Sequence, residues 1–209
     1  MIAITFSCLR DLEPVKRLNK QLESANIKHF IYVEEYEYQD FSKHLTCYSR
    51  GTNENGTNGF GGAGARAKLN MYKLAMNHLE NGECLLDLDS DVSFNNVSAL
   101  FAMNCYGNEM KGYYDFKDPI HKVDGKFFTY FTGCCKSYGY DIFKRLVSAT
   151  DIEEHIMKMV DNGLTPSEDA FFSYYCQNVI GAKPINLYFV FKHGKQTKQY
   201  DNKEWDLVS

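Results

Sequence analysis

The stretch Leu85-Leu86-Asp87-Leu88-Asp89-Ser90-Asp91 runs from an apolar segment directly into alternating acidic residues. Its first half predicts a buried strand, and the triplet Asp89-Ser90-Asp91 predicts a break after it. Acidic side chains that crowd the end of a strand repel one another unless a cation balances them, and carboxylate oxygens are the ligands that Mg²⁺ and Mn²⁺ prefer. A bend at Ser90 would bring Asp89 and Asp91 to one ion. The alternative is a solvated Asp-Ser-Asp turn that precedes a helix.

The residues before this stretch predict a strand–helix–strand unit. Ile2 to Ser7 is an apolar strand, a helix with an apolar stripe begins near Asp11, and Ile27 to Val33 is a second β-rich run. Such a unit implies two parallel strands that are joined by a right-handed crossover. Ligands bind at the carboxyl ends of parallel strands, so residues 7–11 and the acidic run 34–37 are expected at one cleft.

Helix and strand patterns continue up to the stretch and beyond it. Apolar residues at helical spacing from Leu69 to Leu79 predict a helix, and Asp124-Gly125 predicts the turn of a hairpin within 112–132. Further helices are predicted at Tyr140–Ser148, Asp151–Val160 and Ala170–Val179, followed by a strand at Ile185–Phe191. Together these elements predict a single α/β domain that spans residues 1–209.

The composition of the 209-residue chain excludes several classes of protein. Hydrophobic residues make up 44% and charged residues 24%, which is ordinary for a globular domain and excludes a mainly disordered chain. A net charge of −4 excludes a strongly basic surface for nucleic acid as a global property. Seven cysteines, an odd number without paired metal-ligand spacing, predict reduced thiols and a cytoplasmic location. No apolar run is long enough to predict a membrane span.

The segment 51–64 holds six glycines and contains Gly59-Phe60-Gly61-Gly62-Ala63-Gly64, which fits the pattern GxGxxG. A dinucleotide fingerprint of this kind should follow a strand directly, and here an asparagine-rich stretch precedes it. We therefore expect a loop that flexes over a ligand and opens the next helix, rather than a dinucleotide site.

The order of these motifs resembles that of glycosyltransferases with the GT-A fold. The resemblance spans roughly residues 1–193 and is carried by Asp89-Ser90-Asp91 after a hydrophobic strand, by Ser7 and Glu34 at two strand ends, and by Ser167-Glu168-Asp169. It implies a three-layer αβα sandwich with a mostly parallel central sheet. It also implies a nucleotide-binding half at about 1–105, an acceptor-binding half at about 106–192 and a C-terminal tail at 193–209.

The resemblance implies a metal-dependent enzyme that transfers a sugar from a nucleoside-diphosphate donor, expected to be a UDP-sugar, to a hydroxyl acceptor. The residues that it assigns to the nucleotide-sugar are Ser7, Arg10, Glu34, Arg66, Lys68, Asp89 and Lys195. The metal ligands that it assigns, for Mn²⁺ or Mg²⁺, are Asp89, Asp91 and His193. Two alternatives stay open: Glu35 or Glu37 could take the place of Glu34, and Arg66 and Lys68 could form a solvated helix face.

The resemblance also implies the catalytic residues. Glu168-Asp169 is similar to the Glu-Asp pair of inverting members, with Asp169 as the base that deprotonates the acceptor hydroxyl. The same two residues are also typical of a helix start, where acids lie at the positive end of the helix dipole. Gly133-Cys134-Cys135 resembles the acceptor loop of the family, and Tyr138 and Tyr140 could stack on an acceptor or fill the core.

Two other functions compete with this interpretation. A nucleotidyltransferase also sets acids around Mg²⁺, but it would need a glycine-rich, basic loop directly after the first strand, which residues 7–13 lack. A non-enzymatic binding domain is disfavoured by a buried strand that runs into acids. The acceptor is expected to be a glycan, a small molecule, a protein or a modified DNA base, as in phage-type enzymes that act on hydroxymethylated bases. A DNA acceptor would need a basic groove, for which the candidates are the lysines at 183, 192, 195, 198 and 203.

Overall fold

The computed structural model describes residues 1–51, 62–94, 96–113 and 121–187, together with the backbone of 191–193 and 204–205. The helices are α1 (Leu12–Ser24), α2 (Glu35–Phe41), α3 (Ala63–Ala75), α4 (Val97–Ala102), α5 (Tyr140–Val147), α6 (Ile152–Asp161) and α7 (Glu168–Tyr174), which continues as a π-helical segment over Tyr175–Ile180. The strands are β1 (Ile2–Phe6), β2 (Lys28–Val33), β3 (Tyr48–Ser49), β4 (Leu85–Leu88), β5 (Val92–Phe94), β6 (Glu109–Gly112), β7 (His121–Val123), β8 (Lys126–Phe128), β9 (Cys135–Tyr138), β10 (Lys183–Asn186), β11 (Phe191–His193) and β12 (Glu204–Trp205).

The central sheet has seven strands in the order β10-β6-β9-β4-β1-β2-β3. The strands β4, β1, β2 and β3 run parallel and β10 is parallel to β6, whereas β9 is antiparallel to both of its neighbours. Ile2 pairs with Lys28 and Phe6 with Tyr32, which confirms the predicted parallel strand–helix–strand unit. The expected α/β class with a mostly parallel sheet is also confirmed.

Helices cover both faces of this sheet, as the three-layer prediction requires. On one face, α3, α5, α6 and α7 pack against Ile4 and Leu85. On the other face, α1 and α4 pack against Ala3 and Leu86. Successive strand residues point to opposite faces, so a strand that is covered on both sides must be apolar throughout. All four residues of β4 are buried, which fixes Asp89 at the edge where the strand leaves the core.

Gly133 and Cys134 form a turn, and a strand that the sequence did not predict begins at Cys135, so the acceptor-loop role of this turn stays a prediction. The strand β9 inserts between β4 and β6, and all four of its residues are buried. Tyr138 lies wholly in the core, so it does not stack on an acceptor. The sequence does not predict this strand, because Lys136 is charged and the interior of a sheet is expected to be apolar.

The predicted hairpin is confirmed, and the predicted last strand is divided. The strands β7 and β8 are joined by Asp124 and Gly125, whose φ angles of 50° and 76° suit a two-residue hairpin turn. The expected strand at Ile185–Phe191 instead contributes to β10, beside β6, and to β11, which pairs with β5. An apolar run does not reveal from its periodicity that the chain changes sheet.

Most of the glycine-rich segment 51–64 lies outside the described residues. The predicted motion of this loop therefore stays a prediction. The described end of the segment opens α3, as predicted. Gly62 precedes this helix with a φ of 81°, and a Cβ there would lie 2.8 Å from the Cδ1 atom of Ile156. Glycine is therefore needed both for the left-handed backbone and for the contact with α6. In the described parts of the chain, no helix combines the length and apolarity that crossing a membrane requires.

Candidate functional site

Three adjacent parallel strands end at the same edge of the central sheet. The residues that follow β1, β2 and β4 are Ser7, Glu34 and Asp89, all of which the sequence assigns to the nucleotide-sugar. Ligands of open α/β sheets bind outside the carboxyl ends of the strands. This edge is therefore the candidate functional site.

The chain turns at Ser90, directly after β4. The N–H of Asp89 donates to the carbonyl oxygen of Cys134 at 3.0 Å, which ties the turn to the start of β9. Ser90 is buried, and its hydroxyl donates to Oδ2 of Asp11 at 3.3 Å. With Ser90 turned into the protein, Asp89 and Asp91 lie on either side of it, each only partly buried.

The third predicted metal ligand lies close to this turn along the backbone. The strand β11 is antiparallel to β5, with His193 opposite Val92, the residue after Asp91. The side chain of His193 and the whole of Lys195 are outside the described residues. Among the side chains that the structure does describe, no three of the His, Cys, Asp or Glu type form a group that could hold a metal ion. The metal site predicted at Asp89, Asp91 and His193 therefore stays a prediction.

Glu34 forms a buried ion pair with Arg50, which follows β3. The Arg50 guanidinium also lies 3.7 Å from the centre of the Phe6 ring, at the end of β1. Within the described residues, Oε2 of Glu34 and Nε of Arg50 are buried without a hydrogen-bond partner. Leaving such atoms unpaired costs about 1–3 kcal/mol each, so the pair offers an acceptor and a donor to a ligand at the strand ends.

Of the three acids that the sequence left open here, only Glu34 is buried. Glu35 is exposed and accepts a hydrogen bond from the Ser49 hydroxyl. Glu37 accepts one from the N–H of Leu9 at 3.3 Å. The position at the end of β2 therefore favours Glu34.

Ser7 and Arg10 differ in burial although they are close in sequence. Ser7 is buried, and its N–H donates to the carbonyl oxygen of Tyr32 at 2.9 Å. The Arg10 side chain is 77% exposed and lies 3.4 Å from Oδ1 of Asp11. Ser7 is thus part of the strand end, while Arg10 extends along its rim.

Five charged side chains beside the Asp89 turn form a lysine–acid cluster, namely Lys68, Asp87, Lys136, Glu168 and Asp169. Nζ of Lys68 lies 2.8 Å from Oδ1 of Asp87 and 3.8 Å from Oε1 of Glu168. Nζ of Lys136 lies 2.6 Å from Oδ1 of Asp169. Asp87 and Lys136 are also opposite each other in the β4–β9 register. The cluster therefore joins α3, β4, β9 and α7 at one place.

The two cations that the sequence paired on α3 point to different partners. The Lys68 side chain is only 5% exposed, so the alternative of a solvated helix face is wrong for this residue. Arg66 is partly exposed, and its Nε donates to Oε1 of Glu153 on α6 at 2.6 Å. Lys68 thus belongs to the cluster, whereas Arg66 holds α3 to α6.

The charges in the cluster offset one another. Burial is the largest influence on the Lys68 ammonium and lowers its pKa, but Asp87, Glu168 and Asp89 together outweigh it and the net pKa is raised. Burial likewise lowers the pKa of Lys136, and Asp169, Asp87 and Glu168 together raise it above its usual value. For Glu168, burial raises the pKa against the opposing influence of Lys68. Both lysines are therefore charged, and Glu168 is a stronger base than an ordinary glutamate.

Sequence reasoning missed Asp87, Lys136 and Arg50. The signal for Lys136 was a lysine within a run of small and aromatic residues that alternates like a strand. Its partner Asp169 is 33 positions away, so no local pattern links them. The sequence signal for Asp87 was an acid inside an apolar strand, and no sequence signal marked Arg50.

A cavity of about 690 Å³ lies elsewhere, beside the amino-terminal half of β2. It is lined by α1 and by the segment around His44, and His29 stands in its wall. Burial lowers the pKa of His29 to about 3. The imidazole is therefore neutral and bonds to Asn19 and Thr5, so it acts as a structural group.

No family model matches the sequence, and no curated protein matches it. Solved structures do match the fold. The galactosyltransferase LgtC, in complex with donor and acceptor sugar analogs, superposes with a TM-score of 0.57 at 13% identity, over 90% of this chain and 74% of that one. The chain has a GT-A-like fold. An active-site mutant of LgtC gives a TM-score of 0.56 with the same identity and coverage.

At this level of identity the likeness concerns the fold. It confirms the expected GT-A-like architecture, in which helices flank a mostly parallel central sheet. The carboxyl ends of β1, β2 and β4 in that architecture carry the Glu34–Arg50 pair, the Asp89 turn and, towards β9, the lysine–acid cluster.

Proposed function

We propose that this chain is a metal-dependent glycosyltransferase that moves a sugar from a nucleoside-diphosphate donor, a UDP-sugar, to a hydroxyl acceptor. The observation that carries the proposal is the position of Asp89-Ser90-Asp91 at the end of β4. This turn stands between the Glu34–Arg50 pair on the β2 side and the lysine–acid cluster on the β9 side. The fold likeness to LgtC, a galactosyltransferase solved with donor and acceptor sugar analogs, supports the same class.

The proposed metal ligands are Asp89, Asp91 and His193. Two carboxylates and one imidazole suit Mn²⁺ or Mg²⁺. The register that sets residue 193 beside Val92 supports the inclusion of the histidine. A bound ion would neutralise the charge that develops on the diphosphate as it leaves.

We propose that the Glu34–Arg50 pair recognises the nucleobase. Arg50 binds one oxygen of Glu34, which leaves Oε2 to accept a hydrogen bond from a ring N–H. Uracil has such a donor at N3. The Phe6 ring and the guanidinium that lies over it close this end of the cleft.

Replacing Glu34 with glutamine should weaken UDP binding about 10–100-fold, because a hydrogen bond to a charged group contributes about 1.5–3 kcal/mol. Calorimetric titration with UDP measures the effect. The matched controls are E35Q and E37Q, which alter the neighbouring acids and should leave the affinity within about twofold. Equal losses in all three variants would contradict the assignment to Glu34.

We propose that the Glu168-Asp169 pair supplies the base. Glu168 is the better placed of the two, because its side chain is 38% exposed and its pKa is raised, while Asp169 is bound at 2.6 Å to Lys136. A base must reach the acceptor hydroxyl and take its proton, which favours the less constrained carboxylate. Asp169, which the sequence favoured as the base, becomes the alternative.

The acceptor stays a prediction, with a glycan, a small molecule, a protein and a modified DNA base as its candidates. Of the five lysines that a DNA acceptor would use, the structure describes the side chain of Lys183, which is exposed. The other four lie outside the described side chains.

A melting screen against nucleotide-sugars tests the proposal directly. The correct donor at about 100 times its dissociation constant should stabilise the protein by about 2.7 kcal/mol in the presence of Mn²⁺. EDTA should abolish this shift, and so should D91N, because the diphosphate would then lack its cation. The matched control D161N, at an exposed acid that ends α6, should respond like the wild type. A donor shift that persists unchanged in EDTA would remove the metal from the proposal.

A further inference from the structure

We propose that Lys136 is a positioning residue that fixes the carboxylate of Asp169, so that the acid pair consists of one fixed and one free carboxylate. This inference rests on the proposed function and deepens it. The fixed carboxylate of Asp169 accepts a hydrogen bond from a sugar hydroxyl that does not react, and so orients the sugar. The free carboxylate of Glu168 takes the proton of the acceptor hydroxyl while the acceptor oxygen bonds to the anomeric carbon, and UDP leaves with the electron pair of the bond that breaks.

Lys136 is buried in the middle of the central sheet. Its side chain is 1% exposed, and its backbone lies between Asp87 of β4 and Gly112 of β6. A buried ammonium is very costly unless a carboxylate pairs with it. The carboxylate that does so, at 2.6 Å, comes from Asp169 on α7. The pair therefore fixes the start of α7 against β9.

The carboxylate of Asp169 lies close to the backbone of Gly133. A Cβ at position 133 would lie 2.5 Å from Oδ1 and 2.6 Å from Oδ2 of Asp169. The carboxylate thus occupies the space that any side chain at 133 would take. Lys136 holds it from one direction and the backbone of Gly133 confines it from another, so it has little freedom to move.

One oxygen of the Asp169 carboxylate remains open to a ligand. Oδ1 of Asp169 is bound to Lys136, and within the described residues Oδ2 accepts no hydrogen bond. The side chain is 22% exposed, so a ligand can reach it. A fixed carboxylate with one open oxygen can accept a hydrogen bond from a sugar hydroxyl and hold it in one orientation.

The contrast with Lys68 shows why the two acids differ. Lys68 is bound at 2.8 Å to Asp87, and it stands 3.8 Å from Glu168, beyond the length of a hydrogen bond. Glu168 also has the longer side chain and the greater exposure. Each lysine therefore has its own close partner, and Glu168 keeps the freedom that proton transfer requires.

The test uses the whole chain with UDP-glucose and UDP-galactose in Mn²⁺ as probes, and it measures the release of UDP with water as the acceptor. K136M keeps the length of the side chain and removes its charge. It should lower kcat about 10–100-fold while the dissociation constant of UDP stays within about twofold, because the loss concerns orientation rather than nucleotide binding. K136R, which keeps the charge, should recover a large part of the rate. The matched control K111M alters a β6 lysine that donates to the carbonyl oxygen of Ala102, and it should have no effect.

The decisive comparison is made in the background of D169N. If Lys136 acts through Asp169, then K136M/D169N should be no slower than D169N alone. The double variant also removes both charges of the pair, so it carries the comparison should K136M not fold. A rate that falls by the product of the two single effects, or a K136M variant that loses UDP affinity as much as rate, would overturn the positioning role.

Failure of the proposed function gives a different result. If the wild type neither binds UDP nor releases it from either probe, the glycosyltransferase assignment fails whatever Lys136 does. The pairing is then judged by melting temperatures alone. K136M and D169N should each lower Tm, and the double variant should lie no lower than the worse of the two. Additive lowering would overturn the pairing itself.

Discussion

Replacing Glu168 with glutamine is expected to lower the rate of sugar transfer about 10²–10⁴-fold, which is the usual contribution of a general base. Glutamine keeps the size of the side chain but cannot take a proton at neutral pH. The KM for the donor should change little, because Glu168 is proposed to act on the acceptor hydroxyl rather than on the diphosphate. Steady-state kinetics with the donor from the melting screen measures both quantities.

The dependence of the transfer rate on pH tests the same prediction in a second way. Burial raises the pKa of Glu168, and a base acts only when it is ionised. The wild-type rate should therefore fall on the acid side at a higher pH than an ordinary glutamate would give, and E168Q should lack this limb.

D169N is the comparison variant for E168Q. A far greater loss in D169N, with E168Q nearly as fast as the wild type, would return the base to Asp169, as the sequence predicted. Base catalysis of this kind inverts the configuration of the anomeric carbon. A product with retained configuration, assigned by NMR, would remove both acids from the role of base.

Breaking the Lys68–Asp87 pair is expected to have the largest effect on stability. Asp87 is wholly buried, with Lys68 at 2.8 Å on one oxygen and the Tyr72 hydroxyl donating at 2.6 Å to the other. D87N would leave the Lys68 ammonium without its close partner. Removing one member of a buried pair costs about 3–5 kcal/mol of unfolding free energy, which urea titration would measure.

The control for this prediction is the double variant K68M/D87N. It removes both charges, and it should be less destabilised than the sum of the single variants. The stability that Lys68 contributes should also depend on pH. Because the pKa of Lys68 is raised in the folded state, its contribution is fully present below the unfolded value of about 10.4 and is lost as the pH rises through the higher folded value. K68M should lack this alkaline loss. A D87N variant within about 0.5 kcal/mol of the wild type would contradict the buried pair.

The sequence predicts those parts of the fold that depend on local patterns. The parallel pair β1–β2 and the buried strand β4 follow from apolar runs and from the breaks at Ser7, Glu34 and Asp89. The hairpin turn at Asp124 follows from turn chemistry that is independent of the rest of the chain.

The sequence cannot predict the parts that depend on distant partners. The strand β9 was not predicted, because the charge of Lys136 is neutralised by Asp169, which is 33 positions away in the sequence. The sequence assigned Glu34 with Glu35 and Glu37 as alternatives, and its pairing with Arg50, 16 positions away, became visible only in the structure. Both pairs need the tertiary fold before the residues can meet, and a single sequence gives no sign of such a meeting.

The position of β9 divides the residues of the proposed site between two parts of the chain. This strand is the seam between the parallel sheet of the first 88 residues and the strands β6 and β10. Lys68 and Asp87 belong to the first part, while Lys136, Glu168 and Asp169 belong to the second. A chain that ends at β4 contains the strands that Ser7 and Glu34 follow, but it lacks the Glu168-Asp169 pair. If the proposed function is correct, such a fragment has the residues proposed to contact the nucleotide and none of those proposed to take the proton.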